Sequence, residues 1–297
     1  MFLLPTSLLR RARPLLAAAL VCMLPCVGTV ALAQDGAALQ AKHTVLATRL
    51  ANNQFQRRLA LDSSESSSQL SGDIYAVIDH PFVELAALEK PANWCEVLML
   101  HLNTKHCVVK GSGADTVVDV AVGRKFDQPL DQAQRVQFNW GGATAGADYM
   151  AVRMAAPSGP MSTRDYRIAF EAAPLDAKRS FVHLSYAYGY GTAARLAMQA
   201  YLGTLGSDKV GFTVKGRDAK GQPDYIGGVR GVVERNPMRY YLAIDSFLDA
   251  PRPEQRDARL AAWFDATEQY ARQLHETERA DYLAMKQNEY RRLKPGP

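Results

Sequence analysis

Net charge is almost absent from this chain once its first segment is set aside. Three of the 35 basic residues and none of the 30 acidic ones fall within residues 1–33, so residues 34–297 hold 32 basic against 30 acidic residues, a formal +2. Gripping a phosphate backbone takes a concentrated basic surface, and this balance removes nucleic acid from the expected partners. Long apolar runs are also missing beyond residue 33, where no segment approaches the roughly 20 residues that span a bilayer. Histidine is sparse: His43, His80, His101, His106, His183 and His275 include no pair at metal-ligand spacing on a helix, which argues against a zinc site. There is no G-x-S-x-G elbow, and Ser185 beside His183 lacks an identifiable acid, so a hydrolytic triad has no support. Gly189, Gly191 and Ala194 spell G-x-G-x-x-A, but the preceding segment alternates and its neighbours are joined by turns. That context fits a strand-to-helix corner exploiting glycine's φ freedom, not a dinucleotide site, and neither cofactor nor metal is expected.

What the chain does have begins with an export signal. Arg10, Arg11 and Arg13 precede an apolar stretch from Leu15 to Val30, and Ala31-Leu32-Ala33 offers a small-x-small cleavage site. Residues 1–33 therefore read as a signal peptide cut after Ala33. Ala12-Arg13-Pro14 departs from the twin-arginine pattern, which points to the general route. The expected location is the periplasm of a bacterium, or otherwise the exterior. Four cysteines occur, of which only Cys95 and Cys107 survive cleavage. In an oxidising compartment they read as one bridge closing a loop of about a dozen residues, the alternative being two buried free thiols.

Gln34 to Ala51 has a short amphipathic pattern, Phe55 to Leu61 alternates weakly, and Ser63 to Ser68 reads as a turn before the strand-like Ile74 to Ile78. Two short helices follow, one between Pro81 and Pro91 and one opening at Asn93, with Glu96 completing a capping box. The period then becomes two. Val118 to Val122, Val136 to Trp140, Met150 to Met154, Tyr166 to Phe170 and Val182 to Tyr188 alternate apolar with polar, separated by Gly- and Pro-bearing turns. This is the pattern of an antiparallel meander with one buried face. A helix over Thr192 to Leu202 and a strand over Lys209 to Lys215 lead to Gly227 to Leu248, where Asn236 before Pro237 signals a helix opening at Pro237. Its apolar arc is wide enough to imply burial on more than one side. Beyond Pro251 and Pro253, Leu260, Trp263, Phe264, Tyr270, Leu274, Tyr282 and Met285 recur at helical spacing to about Leu293. Residues 251–297 read as an amphipathic helical extension packed outside the domain of residues 34–250, with a partner-binding arm as the alternative.

Several polar or aromatic groups belong to segments bound for an apolar interior: Trp140, Arg153, Tyr186, Tyr188, Arg239, Tyr240, Tyr241 and Asp245. A concave apolar pocket with a few placed polar groups is how small-molecule sites are built, so these eight are the candidate ligand-binding residues. Against that, a buried arginine is often half of a structural pair, and tyrosine hydroxyls often satisfy backbone.

The order strand, strand, two short helices, meander and late long helix resembles the helix-grip layout of START-like lipid-transfer domains, the polyketide cyclase and dehydrase superfamily. Ile74 to Phe82, continuing through Leu88, Pro91 and Trp94, is similar to that family's strand entering its paired helices, and Gly227 to Leu248 resembles its closing helix. The resemblance spans residues 52–249. It implies an α+β fold, a curved antiparallel sheet wrapped on a long helix, and a cavity for a lipid, sterol or polyketide-like ligand. The family has no shared catalytic motif, so no active residue carries over. The extra helix at 192–202, the cysteine pair and residues 251–297 depart from the layout. The leading expectation is an exported binding or transfer protein for an apolar small molecule or lipid, with transient membrane contact a further option. The alternatives are an enzyme in the same cavity, using Asp245, Arg239 or a tyrosine, and an envelope protein whose partner binds the C-terminal helix.

Overall fold

Eight strands pair in the computed structural model, which describes residues 36–204 and 208–293. They are β1 (Leu59–Glu65), β2 (Gln69–Ile78), β3 (Thr104–Lys110), β4 (Val117–Val122), β5 (Gln134–Ala145), β6 (Met150–Ser158), β7 (Thr163–Pro174) and β8 (Ser180–Tyr190). All neighbours are antiparallel, in the order β1-β2-β8-β7-β6-β5-β4-β3. Six of the seven neighbouring pairs are consecutive in the chain, and only the β2–β8 pair closes a long loop. The expected α+β helix-grip architecture is what the chain adopts.

The sheet has two unlike faces. On the inner one, Ile74, Val120, Val136, Val152, Ile168 and Leu184 join one large core. Against it packs the long helix α4 (Gly228–Asp249). On the outer face, α1 (Gly36–Ala51) sets Leu39, Leu46 and Leu50 against Val77, Ala173 and Phe181 in a second, smaller core. Beneath α1 the outer face carries a polar cluster in which His183 meets Glu171 at 3.0 Å and Asp73 at 2.9 Å.

Helix α4 begins nine residues before the proline that the sequence marks as its start. Pro237 lies inside it, where it lacks the N–H that Val233's carbonyl would accept. Strand β2 comes close to this turn at Gly72: a Cβ there would stand 2.6 Å from the Val233 oxygen and 2.9 Å from Pro237 Cγ, so only glycine lets strand and helix approach this closely. Other boundaries also move. Ser63 and Ser64 belong to β1 and the turn shrinks to residues 66–68; the helix α2 (Pro91–Leu100) opens at Pro91, while the Asn93 side chain donates to the Ala87 carbonyl at 2.7 Å instead of capping. The strand expected from Lys209 appears as a small hairpin, β9 (Val214–Arg217) with β10 (Pro223–Tyr225). The helix α3 (Thr192–Gly203) falls where expected, but neither Gly189 nor Gly191 uses positive φ at the corner before it.

Three helices close the chain: α5 (Arg256–Glu268), α6 (Ala271–Leu274) and α7 (Arg279–Leu293). Leu260, Trp263, Tyr282 and Met285 from them lie in the same core as α2 and α4, and the described residues belong to one compact unit. Residues 251–293 are thus built into the domain instead of lying along its outside. The cleavage site read at Ala33 lies outside the described residues. Among the described residues, no helix is long and apolar enough to cross a membrane.

Cys95 on α2 is bonded to Cys107 on β3, 12 positions further along the chain, with Cα atoms 5.3 Å apart. Closing such a loop is expected to stabilise the fold by about 2–3 kcal/mol through the unfolded chain. Thiol labelling of denatured, unreduced protein should find neither cysteine free, and a Cys95→Ser, Cys107→Ser variant should lose stability of that order in urea unfolding. Two labelled cysteines in the native protein would remove the staple.

Candidate ligand chamber

Under α4 the inner face does not fill completely. A chamber of about 170 Å³ remains, lined from the sheet by Val120 and Val122, Val136 and Phe138, Tyr166 and Tyr186. Strand alternation makes this wall, because residues two apart on β4 and β5 point to one face. Asn236 and Tyr240, one helical turn apart on α4, form the roof, and Leu98, His101, Asn103 and Thr104 close one side from the end of α2.

Aromatic rings set the chamber's shape. Tyr186 lies 5.8 Å from Tyr240, 6.2 Å from Tyr166 and 5.8 Å from Tyr188, while Tyr166 stacks on Tyr188 at 5.2 Å. His101 stacks on Tyr240 at 5.2 Å. Burial pushes the hydroxyls of Tyr186, Tyr188 and Tyr240 above the ordinary tyrosine value, so at neutral pH they are donors, not bases. Tyr166 shares a 2.7 Å hydrogen bond with Thr163 Oγ1.

The eight candidate residues separate into different places. Tyr186 and Tyr240 line the chamber; Tyr188 adjoins it through Tyr166, and Trp140 is only partly buried against the core. Arg153 belongs to the outer face, its guanidinium half exposed and 3.6 Å from Glu171. Parity explains this, since Val152 and Met154 point inward on the same strand. Arg239 is buried away from any ligand edge, donating to Glu276 at 3.0 Å and to the Leu274 carbonyl at 3.2 Å. Tyr241 and Asp245 open onto another cleft, of about 910 Å³, shared with Arg57, His80 and Asp249. Five residues of helix turn the direction by about 140°, which is why Tyr240 and Asp245 cannot serve one site.

In that cleft Arg57 donates to Asp245 at 2.6 Å, and His80 Nε2 lies 3.7 Å from Asp245 and 3.5 Å from Asp249. Burial would raise the Asp245 carboxyl, but hydrogen bonds and charge from His80 and Arg57 outweigh it and hold it below the ordinary value. The same carboxylate, by hydrogen bonding, is the main reason His80 is raised.

His101, Asn103, Phe138 and Tyr166 were not singled out from sequence as ligand contacts. His101 drew notice there only as a metal candidate, and its place at the chamber wall depends on how α2 meets β4 and β5.

No protein-family model matches the chain, and no curated protein matches it in sequence. Among solved structures it is similar to norcoclaurine synthase from Thalictrum flavum, with 12% identity over 48% of this chain and 91% of that one and a TM-score of 0.34. It is also similar to human STARD10, with 6% identity over 56% and 76% of the two chains and a TM-score of 0.32. A third is the Zhui aromatase/cyclase of a Streptomyces species, with 12% identity over 69% and 95% and a TM-score of 0.31.

Proposed function

We propose that this chain is an exported binding or transfer protein for a small apolar ligand held between the sheet and α4. The observation that supports it most is the chamber itself, where valines, a leucine, a phenylalanine and tyrosine rings meet the polar side chains of His101, Asn103, Thr104 and Asn236. Its size favours the small end of the ligand range: a dry cavity of about 150 Å³ is enough for benzene, and about 170 Å³ suits a single substituted ring. A two-chain lipid would require α4 or the residue 160 turn to move. Export rests on the leader-like residues 1–33 and agrees with the disulfide.

Binding is favoured over catalysis because the acid and base groups first considered are engaged elsewhere. Asp245 is paired with Arg57, and Arg239 with Glu276. The chamber tyrosines hold their protons.

Mass analysis of gently purified native protein should recover a small apolar compound at near-stoichiometric amount. Phe138→Trp, which adds volume at the chamber wall, should reduce the bound amount at least about tenfold while leaving the fold intact. Ligand-observed NMR with α-methylstyrene provides the second arm. An empty native protein that also fails to bind this probe would reject the chamber as a site.

A further inference from the structure

His101 caps the end of α2 and is 6% exposed, on the chamber wall. Its Nδ1 accepts the backbone N–H of Asn103 at 3.1 Å. A backbone N–H can only donate, so that nitrogen is bare, and the neutral ring carries its proton on Nε2. The neutral state has clear causes: burial first, then the positive charges of Arg239, Lys286, Lys125 and Lys105. The Nε2 atom is buried and has no partner among the described residues. Buried donors are nearly always satisfied, and those that are not ask for a ligand or water to complete them.

The surroundings bias what could do so. Lys286 donates to the His101 carbonyl at 2.7 Å and shares Glu289 with Lys105, at 2.8 and 2.9 Å. Arg239, Lys125 and Lys209 share Glu276, at 3.0, 2.6 and 2.7 Å. In these two clusters five cations meet two carboxylates. The excess is positive and lies close behind the ring, where an oxygen bearing negative charge is favoured and an ammonium is opposed.

Resting on the binding function proposed above, we infer that the Nε2–H of His101 is the chamber's recognition donor, and that the ligand is a ring-sized apolar molecule with a hydrogen-bond-accepting oxygen, carbonyl or carboxylate. The aromatic walls hold the ring. His101 reads the oxygen. The tyrosine hydroxyls, all protonated, supply further donors and no base.

Acetophenone and α-methylstyrene test this, since they have nearly the same shape and differ by a carbonyl oxygen in place of a methylene. The native protein should bind acetophenone about tenfold tighter, the ratio that about one net hydrogen bond produces. In His101→Phe, which keeps a flat ring against Tyr240, the ratio should fall to about one while α-methylstyrene still binds. Loss of packing alone would weaken both probes alike. In the native protein, nitrogen NMR of labelled histidine should show His101 protonated at Nε2 and shifted by acetophenone but not by α-methylstyrene. Benzoate should bind at least as well as acetophenone, and benzylamine should not compete with it. A ratio near one in the native protein, an unchanged ratio in His101→Phe, or a proton on Nδ1 would overturn the role of His101 and leave the chamber standing. Benzylamine binding as tightly as benzoate would overturn the assignment of the acceptor oxygen. If the native protein carries no compound and binds neither acetophenone nor α-methylstyrene, this inference falls together with the chamber; a native protein that carries a compound but binds neither probe overturns this inference alone.

Discussion

Glu276→Gln is expected to destabilise the protein by about 3–5 kcal/mol, the cost of leaving a buried cation without its counter-charge. Glu276 follows α6 and is the only carboxylate that Arg239, Lys125 and Lys209 are seen to share among the described residues. Arg239 bears most of the loss, with its side chain 4% exposed and no means of giving up its proton. Lys125 can escape, because burial already lowers its pKa to about 8 against the opposing pull of Glu276. The carboxylate shows the reciprocal effect. Burial alone would raise its pKa, but Arg239 and Lys125, with hydrogen bonds from Lys125 and Lys209, hold it at about 2. A carboxyl depressed in the folded state contributes stability that is present above about pH 4.5 and is lost as the pH falls toward 2. Urea unfolding at pH 7 should therefore show the full loss in the variant, and the gap to the native protein should narrow toward pH 3. Adding Arg239→Met removes the stranded charge and should recover a substantial part of the loss. A change below about 1 kcal/mol at pH 7 would mean that solvent reaches Arg239 and that the cluster is an exposed one.

Residue alternation made the sheet readable, because each inner strand shows one apolar face at every second position and turn residues separate the strands. The same rule puts Arg153 on the non-apolar side of its strand, and it lies there, between Val152 and Met154 on the inner face. Helix α4 was legible as an element but not at its beginning. Pro237 carries a strong start signal, yet the helix already runs from Gly228, and Val233 and Pro237 pack against Gly72 on a strand more than 160 residues earlier, a tertiary contact with no local trace. The site was legible in part. Tyr186 and Tyr240 stood out as rings with hydroxyls, and both line the chamber. His101 did not, because its chemistry comes from one hydrogen bond to Asn103 and from lysines and an arginine delivered by β3, α4, α7 and the loop at Lys125. Residues 251–293 had the spacing of a surface helix, yet two of their charged groups, Lys286 and Glu289, are fully buried against each other and Lys105. Charge on a helix reads as a solvated face until its partner is known.

A chain of residues 34–249 is expected not to fold, although it contains the whole sheet and the whole of α4. Deleting the last helices removes Leu260, Trp263 and Tyr282, each fully buried, and loss of a buried tryptophan alone typically costs about 3–5 kcal/mol. It also breaks polar contacts that nothing else replaces. Trp263 Nε1 donates to the Arg239 carbonyl at 3.0 Å, and the Tyr282 hydroxyl donates to the Leu100 carbonyl at 2.9 Å. Arg239 would lose Glu276 and Lys105 would lose Glu289, leaving two buried cations unpaired at about 3–5 kcal/mol each unless water enters or the lysine deprotonates. These losses together exceed the roughly 5–15 kcal/mol by which a domain is stable. Expressed into an oxidising compartment, the shortened chain should be insoluble, or should keep far-ultraviolet dichroism without a cooperative urea transition. Because His101 lies between α2 and the lysines of this region, such a chain should also bind neither acetophenone nor α-methylstyrene. A soluble product that unfolds cooperatively would instead make residues 251–297 a separable appendage, place the domain boundary at residue 250, and require the exposed side of α4 to be stable in water.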